Sequence, residues 1–211
     1  MAEALRIAIV GAESTGKTAL AQALAVRLGL LTGRRCTWVG DWLRHWCERE
    51  GRTPRPDEQA AIAAQQHHLI DAAAADHEVV ICDTTSLMTA VYSDLLLDDR
   101  SLVAYAMAQQ RRCALTLLTA LDIDWVADGL QRDGPQVCEP VDALVRAALG
   151  RAGANYSVVA GTGVARTHAA LACVQRAIHP PPAGEGAARW HWHCERCGDS
   201  ECERHPLLPR L

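Results

Sequence analysis

Residues 11–18 read Gly-Ala-Glu-Ser-Thr-Gly-Lys-Thr. Two glycines with four residues between them, followed by Lys and Thr, suit a chain that must wrap an anion with its own backbone. Gly11 and Gly16 let the backbone turn its N–H groups inward around a phosphate. The helix that follows presents its positive end to the same anion. Lys17 can reach the β and γ phosphates of ATP, and Thr18 can place its hydroxyl on Mg²⁺. Glu13, Ser14 and Thr15 complete the loop and are counted with it as nucleotide-binding residues. Two acids are candidates to work beside this loop. Asp83 ends an apolar run and can hold Mg²⁺ or activate a substrate hydroxyl; the plainer reading is a helix cap. Asp41 and Arg44 follow another apolar run and can meet a substrate, or simply belong to a capped surface helix. Trp42 and Trp46, four apart on one helical face, can stack on a ring or pack as core. Trp125 carries the same pair of readings. His67 and His68 sit mid-helix and are expected on the surface.

A second cluster lies near the far end. Residues 190–205 read Trp-His-Trp-His-Cys-Glu-Arg-Cys-Gly-Asp-Ser-Glu-Cys-Glu-Arg-His. Cys194 and Cys197 share the spacing of Cys202 and His205, and four such donors can enclose a tetrahedral Zn²⁺. His191 and His193 are alternative fourth ligands. With every position filled by protein, the zinc would be structural. The competing readings are a redox Cys-x-x-Cys and an unstructured tail. Contact with RNA is disfavoured by Glu195, Glu201 and Glu203.

The elements that must position these residues alternate in type. Strands are expected at 6–10, 36–39, 78–83, 114–119 and 156–160. Helices are expected at 17–29 (with Gly29 as its stop), 42–50, 57–77, 86–97, 101–112, 137–151 and 164–178. Residues 122–135 read as a loop. The strands are continuous apolar runs, and alternation with helices implies a mainly parallel α/β sheet covered on both faces. Residues 1–178 form the expected domain, 179–189 a Pro/Gly linker and 190–211 the Cys/His tail.

The 211 residues allow one such domain with a core, and a hydrophobic fraction of 49% is ordinary for a globular chain. A net charge of -4 gives no global pull toward nucleic acid or an anionic membrane. Neither a signal peptide nor a membrane-length apolar stretch is visible, so a cytoplasmic protein is expected. Six of the nine cysteines are scattered along apolar runs as reduced thiols would be, and three crowd into the tail, which favours metal over disulfides.

Taken together, several segments resemble the kinase module of ribosylnicotinamide kinases, AAA-like P-loop ATPases found joined to bifunctional NAD-biosynthesis regulators. The loop Gly11–Thr18 with Glu13 inside it is one. Asp41-Trp-Leu-Arg44 resembles a Glu-aromatic-x-Arg segment, with Asp in place of Glu. Ile62-Ala63 with Gln65 and Gln66 resembles an Ile-Ala-x-x-Gln helix. Val80-Ile-Cys-Asp-Thr84 with Thr89, and Asp122-Ile-Asp-Trp-Val-Ala-Asp-Gly129, resemble further segments. The resemblance spans residues 5–178. It implies phosphoryl transfer from MgATP to a small hydroxyl acceptor such as nicotinamide riboside. Lys17, Asp83, Asp41 and Arg132 would be catalytic. Arg166 would bind nucleotide, and Asp41, Arg44, Trp125 and Asp128 would meet the acceptor. The Arg expected after Asp128-Gly129 is displaced to Arg132, behind Gln131. No adenylyl-transferase or helix-turn-helix segment is apparent. The alternative function is a regulatory P-loop ATPase that binds a partner through a zinc tail.

Overall fold

Five short runs rich in Val, Ile, Leu and Thr become the strands of one sheet: β1 (Leu5–Val10), β2 (Cys36–Val39), β3 (Val79–Asp83), β4 (Leu115–Thr119) and β5 (Tyr156–Val159). Their order is β2-β3-β1-β4-β5, and every pairing is parallel. The computed structural model describes residues 3–126 and 134–178, within a unit that ends at Ile178. Seven α-helices accompany the sheet among the described residues: α1 (Lys17–Thr32), α2 (Trp42–Glu50), α3 (Gln59–Asp76), α4 (Ser86–Leu97), α5 (Val103–Gln110), α6 (Cys138–Ala152) and α7 (Gly163–Ile178).

Strand alternation sorts the core into layers. Ile7 and Ile9 of β1 face one side, against Leu20, Leu24 and Leu28 of α1 and Leu171 and Val174 of α7. Ala8 and Val10 face the other, against Leu87 and Val91 of α4 and Val141, Val145 and Leu149 of α6. Ile70 of α3 covers Val39, Val80 and Cys82 farther out. The three inner strands are therefore buried on both faces, which is why they read as continuous apolar runs.

Two sequence expectations are corrected here. Helix α1 does not stop at Gly29. Gly29 is helical and its carbonyl accepts from the Gly33 N–H at 2.9 Å, while Gly33, at φ 68°, makes the left-handed stop. A glycine inside a helix costs only about 1 kcal/mol, so Gly29 did not have to end it. The leucine stripe marks the buried face and not the helix length, and Leu30 and Leu31 continue the helix exposed to solvent.

His67 is buried, unlike its exposed neighbour His68. It lies on the same face of α3 as Gln59, Ile62, Ala63, Gln66 and Ile70. Its Nε2 pairs with the Ser86 hydroxyl at 2.8 Å, and its ring meets the Tyr105 ring edge-on at 5.9 Å. Nδ1 has no hydrogen-bond partner among the described residues. Burial, with Arg112 and Arg6 nearby and only Asp71 opposing them, pushes its pKa from 6.5 to about 4. The folded value lies below the unfolded one, so His67 favours the native state fully above pH 6.5. That contribution falls away between pH 6.5 and 4 and is gone below, a loss on the order of 3 kcal/mol. Urea unfolding across this window is expected to show the loss in the parent and a flatter profile in His67→Gln. An unchanged profile in His67→Gln would mean that another group titrates.

Candidate active site

Parallel strands place all their carboxyl ends, and the loops that leave them, at one edge of the sheet. The loop between β1 and α1 is built on three left-handed residues, Ser14 (φ 57°), Gly16 (φ 70°) and, at φ 145°, Gly11. At Gly11 a side chain is excluded outright: a Cβ there would collide with the Thr119 hydroxyl at the end of β4. The same hydroxyl pairs with Thr15 Oγ1 at 2.7 Å, either one donating, and the hydroxyl that accepts in this pair donates to a loop carbonyl, Thr15 to Ala12 at 2.8 Å or Thr119 to Val10 at 3.2 Å. The loop is thus fastened to β4 as well as to β1. Lys17 folds back over it, donating to the carbonyls of Gly11 (3.0 Å) and Ala12 (2.7 Å).

Ser14 extends the frame. It accepts from the Val126 N–H at 2.8 Å and donates to the Val126 carbonyl at 3.2 Å. Trp125, next in the chain, is half-buried, with an indole N–H that has no partner among the described residues. Arg166 of α7 lies against the loop from another side. Its Nη1 is 3.4 Å from where a Cβ on Gly16 would stand. The side chain is only 4% exposed, and Nε and Nη2 have no partner among the described residues. Burial lowers its pKa and Asp122 opposes that. Asp122 also accepts a hydrogen bond from the Gly161 N–H, which ties the loops after β4 and β5 together. A buried guanidinium with unused N–H groups beside a helix N-terminus is suited to an anion.

Asp83 closes β3, opposite Ile9 in the β1 ladder. It is 1% exposed, and neither carboxylate oxygen meets a hydrogen-bond partner among the described residues. Burial raises its pKa, and so does the charge of Asp41; the nearby Thr18 hydroxyl, Lys17 and Arg44 pull it down. Asp83 is not a helix cap. Thr85 caps α4, accepting from the Leu87 N–H at 3.2 Å. Thr85 also donates to Gln110 at 2.7 Å, and Gln110 donates to Thr116 of β4 at 2.7 Å. Between Asp83 and this cap, Thr84 is held at φ 70°, with its N–H on the Ile9 carbonyl at 3.0 Å. A β-branched residue there costs about 1–3 kcal/mol and persists only where its surroundings enforce it.

Asp41, after β2, does cap α2, accepting from the Arg44 N–H at 3.3 Å. It also faces the other charges. Burial raises its pKa, while Lys17, the Arg44 N–H and charge, and the Leu43 N–H lower it. Two carboxyl groups, one lysine and one arginine therefore share a small volume beside the loop. Trp46 packs with Cys47 and Ile62, and Trp42 lies half-buried at the margin of that cluster.

The fold thus brings Gly11 to Thr18, Asp41, Arg44, Asp83 and Arg166 to one edge. Arg132 and Asp128, and the tail residues Cys194, Cys197, Cys202 and His205, lie outside the described residues, as do the segments 179–189 and 190–211. Among the described residues no three or more His, Cys, Asp or Glu side chains converge as a metal cage. No helix of the described residues is long and apolar enough to cross a membrane. One contributor escaped the sequence reading: Thr119 ends a strand as Asp83 does, which was its one visible signal. Gln66 entered that reading only as part of a motif, with no task assigned; it lies on the buried face of α3 between Ile62 and Ile70.

The model of the AAA domain family matches residues 6–166, and the chain belongs to that family. No curated protein matches the sequence. Among solved structures, a NadR protein in complex with NR is similar at TM-score 0.69 and 19% identity, over 82% of this chain and 51% of that one. A NadR protein in complex with NAD and AMP-PNP is similar at TM-score 0.67 and 18% identity, over 82% and 49%. Thymidylate kinase from Ehrlichia chaffeensis is similar at TM-score 0.56 and 17% identity, over 82% of this chain and 100% of that one. The chain spans about half the length of the NadR chains. At these identities the likeness is one of fold.

Proposed function

We propose that this member of the AAA domain family is an ATP-dependent small-molecule kinase of the ribosylnicotinamide-kinase type. The observation that carries the reading is the pair Asp83 and Asp41 set beside Lys17 and Thr18 at the sheet edge. A phosphate loop alone would serve any nucleotide-binding protein; a second, half-buried acid beyond the metal-facing one suits a reaction that must handle an acceptor hydroxyl. The solved NadR structure that holds NR has this fold, which makes nicotinamide riboside the first acceptor to try.

In this reading Gly11 to Thr18 wrap the phosphates of ATP, and Lys17 leaves the loop carbonyls for the β and γ phosphates. Arg166 adds charge from the far side. The Thr18 hydroxyl and the Asp83 carboxylate would hold Mg²⁺, and the unpartnered oxygens of Asp83 fit that task. Bound there, the ion would neutralise charge on the β and γ oxygens. Asp41 orients the acceptor hydroxyl and takes its proton as its oxygen bonds to the γ phosphorus. The bond from phosphorus to the leaving ADP oxygen breaks, and Lys17, Arg166 and Arg132 stabilise charge on the transferred group. Arg44 and Trp125 are assigned to the acceptor side, and Asp128 is assigned to it on the sequence resemblance alone. The four tail residues Cys194, Cys197, Cys202 and His205 are assigned to one structural zinc on their spacing.

Incubation with MgATP and nicotinamide riboside is expected to yield the mononucleotide by mass spectrometry. Lys17→Ala is expected to lower the rate by about 10²-fold or more. Slow ATP hydrolysis without any phosphorylated nucleoside would instead favour a regulatory ATPase. Metal analysis of protein purified without chelator is expected to find about one zinc per chain, lost in Cys194→Ser. Metal-free protein with a protease-resistant tail would remove the zinc assignment.

A further inference from the structure

Gln66 belongs to α3, not to any loop at the sheet edge, yet it reaches that edge. It is 3% exposed. Its Nε2 donates to the Gly40 carbonyl at 3.2 Å, and its Oε1 accepts from the Trp42 N–H at 2.8 Å. These two partners flank Asp41. A primary amide presents one donor side and one acceptor side, and here each side fixes one of the peptide units that bracket a single residue. The Asp41 carboxyl group accepts from the Arg44 N–H at 3.3 Å, and the Leu43 N–H also draws on it, both from the first turn of α2. That cap sets the start of α2. It does not fix the rotation of the preceding peptide, which determines where the aspartate side chain departs from the chain.

The placement of Gln66 is equally specific. Ile62 and Ile70, four residues to either side, bury their side chains in separate apolar clusters. An apolar residue at position 66 would continue that stripe. The buried amide costs desolvation unless both of its ends are satisfied, and both are, by backbone groups of the β2–α2 connection.

We propose that Gln66 is a positioning residue for the phosphoryl acceptor: through Gly40 and Trp42 it holds the Asp41 carboxyl group toward Lys17 and the acceptor hydroxyl. It touches neither substrate itself. The inference rests on the kinase reading for its catalytic consequence, but the geometry it claims can be tested without turnover. It also accounts for a division of labour at the edge. The phosphate loop is fastened to β4 through Thr15 and Thr119, whereas Asp41 is fastened to α3 through Gln66. Nucleotide binding and acceptor orientation therefore depend on different buried contacts and are separable by mutation.

Two variants test this. Gln66→Met keeps the length and loses both hydrogen bonds. Gln66→Glu keeps the acceptor for Trp42 N–H but turns an oxygen toward the Gly40 carbonyl. Both are expected to bind MgATP within about twofold of the parent. Both are expected to lose about 10-fold or more in kcat/KM for the acceptor, with the acid limb of the pH profile displaced. A fall in MgATP affinity as large as the fall in acceptor kcat/KM would show general disruption and overturn the proposal. So would unchanged acceptor kinetics. If the parent protein phosphorylates no acceptor, the kinase reading fails by itself. The positioning claim is then read from ¹³C NMR titration of the Asp41 carboxyl group, expected to shift toward the ordinary aspartate range in Gln66→Met. An unshifted titration would overturn it.

Discussion

Charge is buried at the carboxyl edge of a parallel sheet, and the rest of the structure depends on making that tolerable. Asp83 and Arg166 are each almost fully enclosed, and each keeps polar atoms without a partner among the described residues. Taking ionised groups out of water is costly unless something compensates. The two carboxyl groups respond as physics requires, with pKa values raised by burial and restrained by Lys17, Arg44 and the Thr18 hydroxyl. Arg166 responds in the opposite sense. A bound anion with its counter-cation would satisfy both kinds of group at once, which is the physical content of the nucleotide reading.

Holding such a site rigid takes contacts that span the fold. The phosphate loop is fastened to β4 by Thr15 and Thr119, residues 104 apart in sequence. The turn after Asp83 is fastened to α5 and β4 through Thr85, Gln110 and Thr116. Asp41 is fastened to α3 through Gln66. Each fastening is a buried or part-buried hydrogen bond, and each replaces a flexible loop by a fixed one. The strain at Ser14 and Thr84 is held by similar contacts, Ser14 by the Val126 backbone and Thr84 by the Ile9 carbonyl of β1.

Much of this was legible along the chain. The strands showed because inner parallel strands are buried on both faces and so are written as unbroken apolar runs. The phosphate loop showed because its chemistry is local, eight consecutive residues between a strand and a helix. What did not show is what depends on distant partners. His67 looked like a surface residue because a polar side chain on an Ala-rich helix gives no sign of the Ser86 hydroxyl it will meet. Gln66 was visible as part of a motif, but its task becomes clear only when Gly40 and Trp42 are folded against it. Gly29 misled because two glycines four apart both fit a helix stop, and only the left-handed turn distinguishes them. Asp83 and Asp41 were each weighed as helix caps. The fold decides differently for the two, giving the α4 cap to Thr85 and leaving Asp41 with both tasks.

The most direct test of the central claim is calorimetric titration of MgATP into the parent protein and into Arg166→Met, with the unfolding temperature of each protein measured alone. If the unpartnered charges exist for a nucleotide, the parent binds MgATP saturably at one site, and Arg166→Met binds it at least about tenfold more weakly, a difference of about 1.4 kcal/mol. Without ligand, that variant should unfold no lower than the parent, because an uncompensated buried charge has been replaced by an apolar chain of similar length. Absence of MgATP binding to the parent, or full-strength binding by Arg166→Met, would contradict the claim.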